Sequence, residues 1–344
     1  MENKKIKVAI MGTSNLGKSC INQMEKRNDE FEVSEAFSLR DSFDENGKVT
    51  DKYVKTLGKI TTLNRKGEID VIAFCGDSKN DCPKMIPDVL TRGVSVVDCY
   101  DEHHMMISKD PEIKSYPQML HDAAIIGGAT ANYGAGWDPG LFSLNRVLNK
   151  SILKGQSATL YGGEATPDLT QPVDLMIGGL SQGHSSAIKK IPGVIEAAQY
   201  SYTRTDTLEK VRRGEKAESN DCHRRECFVV AEPGKEQYIE DTIRNMPGKF
   251  AGQAVNVTFM SMEQFIAQGF DKRRSHGGRQ FFRNDNANVE YNLQMKSNPE
   301  MTASVMLATC IANQRMNKKG LKGSFSFVET IPYLLSKDEI DELM

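Results

Sequence analysis

AAIIGGATANYGAGWDPGLFSL, residues 123–144, joins a run of small and apolar residues to a Trp-Asp-Pro-Gly turn and a second apolar run. Its first seven residues suit a strand buried on both faces of a parallel sheet. Its end reads as a helix start, because Asp138 can cap free backbone N–H groups and Pro139 suits the first helical turn. The chain's one tryptophan, Trp137, stands beside that carboxylate. In an open α/β sheet, ligands bind where strands end and helices begin. Asp138 therefore has two readings, a helix cap and a ligand contact.

Upstream, short apolar strands alternate with helical stretches. Residues 6–11 form an apolar run that ends in Gly12-Thr13-Ser14-Asn15-Leu16-Gly17-Lys18-Ser19. This is a dinucleotide-binding turn with Ser14 in place of the middle glycine of G-x-G-x-x-G. Gly12 makes the tight turn, Gly17 lets helix and strand approach, and a pyrophosphate rests on free N–H groups at the helix start. The next strand, 32–37, ends in Ser38-Leu39-Arg40. An NAD site carries an acidic residue there. A hydroxyl and a guanidinium suit a 2′-phosphate instead, with Asp41 opposing that preference. Strands at 71–75 and 94–98 open into Gly76-Asp77-Ser78-Lys79 and Cys99-Tyr100-Asp101-Glu102-His103-His104, with a helix at 83–92 between them. The alternation predicts right-handed βαβ units and a parallel sheet. His103 and His104 are neighbours whose side chains diverge, so no shared metal ion is expected.

Composition bounds the rest. The 344 residues, 39% hydrophobic and 26% charged, suffice for about two globular domains. A net charge of −2 lacks the basic surface that non-specific nucleic-acid binding needs. Cys20, Cys75, Cys82, Cys99, Cys222, Cys227 and Cys310 are scattered and odd in number, so reduced thiols are expected rather than a disulfide framework. The apolar run beside Lys4, Lys5 and Lys7 is cut by Gly12 without a cleavage site, so no signal peptide is expected. No stretch approaches the ~20 apolar residues of a membrane span. A cytoplasmic protein is the expectation.

From Gly136 onward the chain carries blocks that resemble meso-diaminopimelate dehydrogenase. They are Gly136-Trp137-Asp138-Pro139-Gly140, Leu180-Ser181-Gln182-Gly183-His184-Ser185, Ile191-Pro192-Gly193-Val194 and Gln199-Tyr200. HRRECFVV at 223–230, Asn298-Pro299 with Thr302-Ala303-Ser304, and Pro332-Tyr333-Leu334-Leu335-Ser336 follow in the family's order. The resemblance implies NADP-dependent oxidative deamination of the D-centre of meso-2,6-diaminopimelate, releasing ammonia. It also implies a Rossmann-like doubly wound domain, a second α+β domain for substrate and dimerisation, and a homodimer built through that second domain. The expected boundaries are 1–136, joined by about 302–344, for the first domain and 137–301 for the second.

By position, the resemblance puts cofactor contacts on Thr13 to Leu16, Ser38 to Arg40, Gly76 to Lys79 and Cys99-Tyr100, beside Gly12 and Gly17. Substrate contacts fall on Asp101, Trp137, Asp138, Tyr161, Gln182, Gly183, Ser201, Arg225, His276 and Asn298. Asp101 and Asp138 are the candidate catalytic pair, holding the reacting ammonium and favouring the iminium ion that replaces it; which group accepts the released proton stays open. Arg225 offers a planar fork to the distal carboxylate, with Ser201, His276 and Asn298 beside it. Leu39 replaces a family arginine at the 2′-phosphate site, where Lys79 can compensate. Tyr161 replaces the family's usual tryptophan, and Ser201 a threonine. An extra segment, 163–178, lies next to the expected pocket.

Other features have plainer readings. The Cys222-x4-Cys227 spacing is not that of a zinc knuckle, and no metal site is expected. A core-facing helix spans 300–319, a strand covers 324–330, and 269–288 is an arginine-rich loop. Two other functions remain open on sequence alone: a Rossmann oxidoreductase acting on a different amino or hydroxy acid, and a non-catalytic dinucleotide sensor.

Overall fold

The computed structural model describes residues 5–39, 54–55, 68–102, 105–106, 114–161, 163–164, 179–216, 222–247, 249–270, 277–336 and 342. In chain order the elements begin with β1 (Ile6–Met11), α1 (Asn15–Lys26), β2 (Phe31–Phe37), β3 (Val54–Lys55), β4 (Val71–Phe74) and α2 (Cys82–Thr91). β5 (Val96–Asp98), α3 (Tyr116–Gly127), β6 (Thr130–Tyr133), α4 (Phe142–Leu153), β7 (Gln156–Tyr161), β8 (Gly163–Glu164) and β9 (Gly179–Leu180) follow. Next come α5 (Gln182–Lys189), β10 (Val194–Thr203), α6 (Thr205–Arg212), β11 (His223–Ala231), α7 (Glu236–Arg244) and β12 (Ala254–Phe259). The last are α8 (Met262–Gln268), β13 (Gly278–Arg283), β14 (Asn288–Leu293), α9 (Asn298–Lys318) and β15 (Gly323–Ser326). Packing divides the chain into two units. One runs up to Val147 and resumes at Pro299; the other is Leu148–Asn298.

Among the described residues, the first unit is built on seven parallel strands in the order β15-β6-β5-β4-β1-β2-β3. Both faces of β1 are apolar. Ala9 and Met11 pack with Leu90 of α2 and Leu120 and Ala124 of α3. Val8 and Ile10 pack with Met24 of α1 and Met306 and Cys310 of α9. Burial on both faces accounts for the unbroken apolar strands, and helices on each make the sheet doubly wound. The chain steps from β1 outward to β2 and β3, then returns to β4 on the other side of β1. The carboxyl ends of β1 and β4 are thus the switch point where such sheets bind ligands.

The strand expected at 123–129 is instead the end of helix α3, and the strand that follows is the more polar β6. Helical spacing explains the small residues there. Leu120, Ala123 and Ala124 are buried at i, i+3 and i+4, while Ile125 and Ile126 are exposed. A Cβ on Gly127 would lie 1.9 Å from the Leu90 carbonyl oxygen, so glycine lets α2 and α3 touch. Gly128, at φ 64°, ends the helix, and Ala129 N–H donates to Ala124 O at 2.8 Å.

Asp138 and Pro139 stand where the sequence places a helix start: Asp138 has extended backbone (φ −145°, ψ 121°), it alone is non-helical within an irregular turn at Trp137–Leu141, and after a cis Asp138–Pro139 peptide that turn runs on into regular α4 at Phe142. Two differences lie further along the chain. β15 stops at Ser326 rather than 330, because Ser326 N–H donates to Glu329 Oε2 at 2.7 Å and the chain turns into a short 3-10 turn. The expected loop 269–288 contains strand β13, whose Phe281 and Phe282 are buried; Arg279 and Arg283 flank them and hide the pattern.

In the second unit β10 is the axis of a mixed sheet, antiparallel to β11 and β9 and parallel to β8, with β12 parallel to β11. One face packs Ala197, Cys227 and Val229 against Ile188 of α5 and Ile239 of α7. The other packs Tyr200, Tyr202 and Val230 against Phe265 of α8 and Phe270. β14, β13 and β7 form a separate antiparallel sheet.

Candidate active site

The turn after β1 has the geometry a pyrophosphate needs. Gly12 sits at φ 104°, and a Cβ there would lie 2.8 Å from the Cys75 carbonyl atoms at the end of β4. A Cβ on Gly17 would lie 1.8 Å from Gly12 O, so α1 approaches its own turn as only glycine allows. Ser14 is the N-cap of α1 and makes no side-chain cap bond. Ser14 and Asn15 are exposed, Thr13 is partly so, and Leu16 packs into the core. Free N–H groups and the positive end of the helix dipole thus face outward, and the residues fit a dinucleotide phosphate. Leu39 packs over Gly76, whose Cβ would fall 2.7 Å from Leu39 Cδ1, which puts the ends of β2 and β4 in contact. Ser38 precedes it and is partly buried. Asp77 serves its own turn: Oδ1 accepts from the N–H groups of Lys79 at 3.1 Å and Asn80 at 2.8 Å. Arg40, the other half of the expected 2′-phosphate site, lies outside the described residues.

Next along the sheet are the ends of β5 and β6. Ser78 Oγ accepts from Asp101 N–H at 3.3 Å, tying the loop after β4 to the loop after β5. Tyr100 is buried and stacks on Tyr116 at 3.7 Å between ring centroids. Burial pushes the Cys99 thiol up, and the negative charges of Asp98 and Asp101 push it further. Asp98 itself is buried; loss of water raises its carboxyl to about 6, against the hydrogen bonds from Tyr116, Tyr100 and Gly134. After β6, Gly134 turns the chain at φ 69° and Gly136 comes against Cys99, with 3.9 Å from its would-be Cβ to Cys99 Cβ. Trp137 is buried edge-on to Phe142 at 5.2 Å. Asp138 Oδ1 accepts from Arg146 Nη2 of α4 at 3.4 Å.

The second unit holds a separate polar patch on the α5–α7 face of its mixed sheet. Ser201 on β10 and Arg225 on β11 are register partners, and both are buried. Arg225 Nη1 donates to Ser201 Oγ, and Nε donates to Gln253 Oε1 at 2.7 Å. Gln199 lies two residues along the same face, 3.3 Å from Ser201 Oγ through Nε2. Its backbone N–H donates to Ser185 Oγ of α5 at 2.9 Å. Gln182 and Gly183 begin α5 and are exposed. Asn298 begins α9.

Comparison with known proteins decides the family. The chain is 35% identical to meso-diaminopimelate D-dehydrogenase of Corynebacterium glutamicum, over 98% of each chain. The chain belongs to the meso-diaminopimelate D-dehydrogenase family. The family's enzyme from Acetivibrio thermocellus is 32% identical over 99% of this chain and 97% of its own. Residues 136–297 match the model described as diaminopimelic acid dehydrogenase C-terminal domain. In structure, the C. glutamicum DAP dehydrogenase in complex with DAP is similar at a TM-score of 0.83, with 34% identity over 100% of this chain and 98% of that one. An engineered D-amino acid dehydrogenase bound to NADP+ is similar at 0.78, with 34% identity over 99% of this chain and 98% of that one.

Of the family's site positions carried onto this chain, His276 and residues 165–178 of the extra segment lie outside the described residues, as do His103 and His104. Tyr161 is described only as the last residue of β7. Within the first unit, the fold gathers the described cofactor positions, Asp101 and Asp138 along one sheet edge; within the second it joins Ser201 to Arg225. Sequence reasoning missed Asp98, Arg146 and Gln253. Asp98 carried a signal, a charge closing the apolar run VSVV. Arg146 stands eight residues after Asp138, a spacing that only the irregular turn between them makes close. Gln253 had no signal, since it reaches Arg225 from a loop 28 residues away.

Proposed function

We propose that this chain catalyses the reversible, NADP-dependent oxidative deamination of the D-centre of meso-2,6-diaminopimelate to L-2-amino-6-oxopimelate and ammonia, in lysine and peptidoglycan precursor synthesis. The likeness to the family over nearly the whole of both chains carries the reading. NADP would be held by Gly12, Thr13, Ser14, Asn15, Leu16 and Gly17 at its phosphates and by Ser38, Leu39 and Arg40 at its adenosine end. Gly76, Asp77, Ser78, Lys79, Cys99 and Tyr100 line the rest. When bound, the cofactor supplies the hydride acceptor.

The protein's part is position and field. Asp101 and Asp138 hold the reacting ammonium. As Cα–H leaves as hydride and the amine loses a proton, the C=N bond forms, and the two carboxylates favour the iminium cation over the neutral amine. Arg146 aims the Asp138 carboxylate. A carboxylate, or a water that it holds, takes the released proton. Water then adds to C=N, its oxygen becomes the carbonyl and ammonia leaves. Arg225, Ser201, His276 and Asn298 hold the distal L-centre, and Trp137, Tyr161, Gln182 and Gly183 are the remaining substrate-binding positions.

The enzyme works as a homodimer in the cytoplasm in this reading. The free state of the seven cysteines suits a reducing compartment, and among the described residues no helix is long and apolar enough to cross a membrane. The test is a panel of D-, L- and meso-amino acids with NADP, followed by absorbance of the reduced cofactor. Reduction confined to meso-diaminopimelate supports the proposal. Reduction with another acid alone names a different substrate, and no reduction leaves a dinucleotide sensor.

A further inference from the structure

At the carboxyl end of β5 the chain buries a carboxylate that the deamination does not use. Asp98 is 1% exposed. Its Oδ1 accepts from Tyr100 N–H at 2.9 Å and from Gly134 N–H at 3.3 Å. Its Oδ2 accepts from the Tyr116 hydroxyl at 2.7 Å, and its backbone carbonyl accepts from Ala135 N–H at 2.8 Å. Tyr100 immediately precedes Asp101. Gly134 stands four residues before Asp138, in the turn that leads to it. One carboxylate oxygen therefore holds the starts of both loops that carry the candidate catalytic pair.

The choice of group is telling. A carboxylate only accepts when ionised, so it takes all three donors without a rotamer or flip to settle. Burial disfavours its charge, and a neutral apolar residue would end β5 more easily. Nothing in the packing of the strand requires an acid there. What the acid does, and an apolar residue cannot, is join two loops from neighbouring strands at one atom.

We propose that Asp98 is a positioning residue for the deamination, fixing the separation at which Asp101 and Asp138 grip the reacting ammonium. This rests on the assignment of Asp101 and Asp138 to that amine. Ser78, which accepts from Asp101 N–H, sets the same loop from its other side.

The experiment compares Asp98→Ala, Asp98→Asn and Tyr116→Phe in the full chain, each with kcat and KM for meso-diaminopimelate, the Kd of NADPH by fluorescence, and Tm. Asp98→Ala removes the acceptor from both loops and should lower kcat by about 100-fold, the scale of a misplaced reacting group. NADPH affinity should fall far less than kcat, because the pyrophosphate turn follows β1 and only the Tyr100 side of the cofactor site is touched. Asp98→Asn keeps a carbonyl oxygen for both N–H groups and should restore most of kcat. Tyr116→Phe removes one bond to the same carboxylate but leaves both loop bonds, so Tm should fall while kcat stays. Should Asp98→Ala not fold, Asp98→Leu fills the volume without an acceptor and takes its place. If kcat follows Tm across these variants, or survives loss of the acceptor, the inference is wrong. Asp101→Asn and Asp138→Asn serve as the control: should both keep wild-type kcat, the assignment of the pair fails instead.

Discussion

Arg225 is a buried cation that donates to the neutral Ser201 and Gln253. A structural role would be to tie β10, β11 and the Gln253 loop together; a binding role is to meet the distal carboxylate of the substrate. The two separate in a ratio. D-alanine shares the reacting head of meso-diaminopimelate but has no distal carboxylate. Breaking a buried charge pair costs roughly 3–5 kcal/mol, or about two to four powers of ten in kcat/KM, so D-alanine should be nearly inert. Arg225→Met should lower kcat/KM for meso-diaminopimelate steeply while sparing or raising the trace activity on D-alanine. A proportional fall in both means that Arg225 holds the fold. Asp98 makes a second prediction at this scale, read as stability. Its folded pKa of about 6 lies above the usual aspartate value of 3.8. The protonated form is thus favoured by folding, and the benefit is full below about pH 4 and lost as pH rises through about 6. The shift corresponds to about 3 kcal/mol. Urea unfolding should show wild type losing that much relative to Asp98→Asn between pH 4 and 7, and parallel pH profiles would sink the claim. In the sequence, Arg225 and Asp138 stand out as candidates because their side chains carry charge beside apolar runs. Their partners do not, because Arg146 and Gln253 matter only through contacts that the fold creates.

At the scale of elements, β1, β4 and β5 were legible because a strand buried on both faces writes itself as an unbroken apolar run. The same signal misled at 123–129. Ala123, Ala124 and Gly127 are small because α3 lies against α2, and a short run of small apolar residues does not distinguish that from a strand. The polar β6 then went unread, since Asn132 satisfies its side chain through Thr330 and Asn313 rather than facing water. The two glycines that end α3 separate the effects by substitution. Gly128→Ala meets nothing within 4 Å and bears only the left-handed backbone at φ 64°, worth about 1–2 kcal/mol. Gly127→Ala must push its methyl into the Leu90 carbonyl and part the two helices, which should exceed the ~1–3 kcal/mol of ordinary overpacking. Equal losses in urea unfolding would mean that α2 and α3 are not in the contact described.

At the scale of the whole molecule the proposed homodimer becomes testable. Periodicity announced the first sheet and its nucleotide edge, whereas the mixed sheet of the second unit was reached through resemblance, because its outer strands are short or half-exposed. Exposure in that unit also bears on assembly. On α4, Leu148 is 55% exposed and Ile152 67%, one helical turn apart on the same face. Water gains nothing from such a pair, whereas a second copy of the chain would cover it and recover roughly 1.5–3 kcal/mol for each side chain fully buried. The proposed homodimer therefore predicts a particle of twice the chain mass by light scattering at micromolar concentration. Replacing Leu148 and Ile152 together by glutamate puts two charges where apolar contact was gained, and the dimer should loosen by about two powers of ten or more in Kd, since each 1.4 kcal/mol is tenfold. Activity with meso-diaminopimelate serves as the check that the variant is folded. A wild-type monomer removes the dimer from the proposal. A dimer that ignores both glutamates moves the interface away from α4, to another exposed apolar site of the second unit such as Val289 on β14.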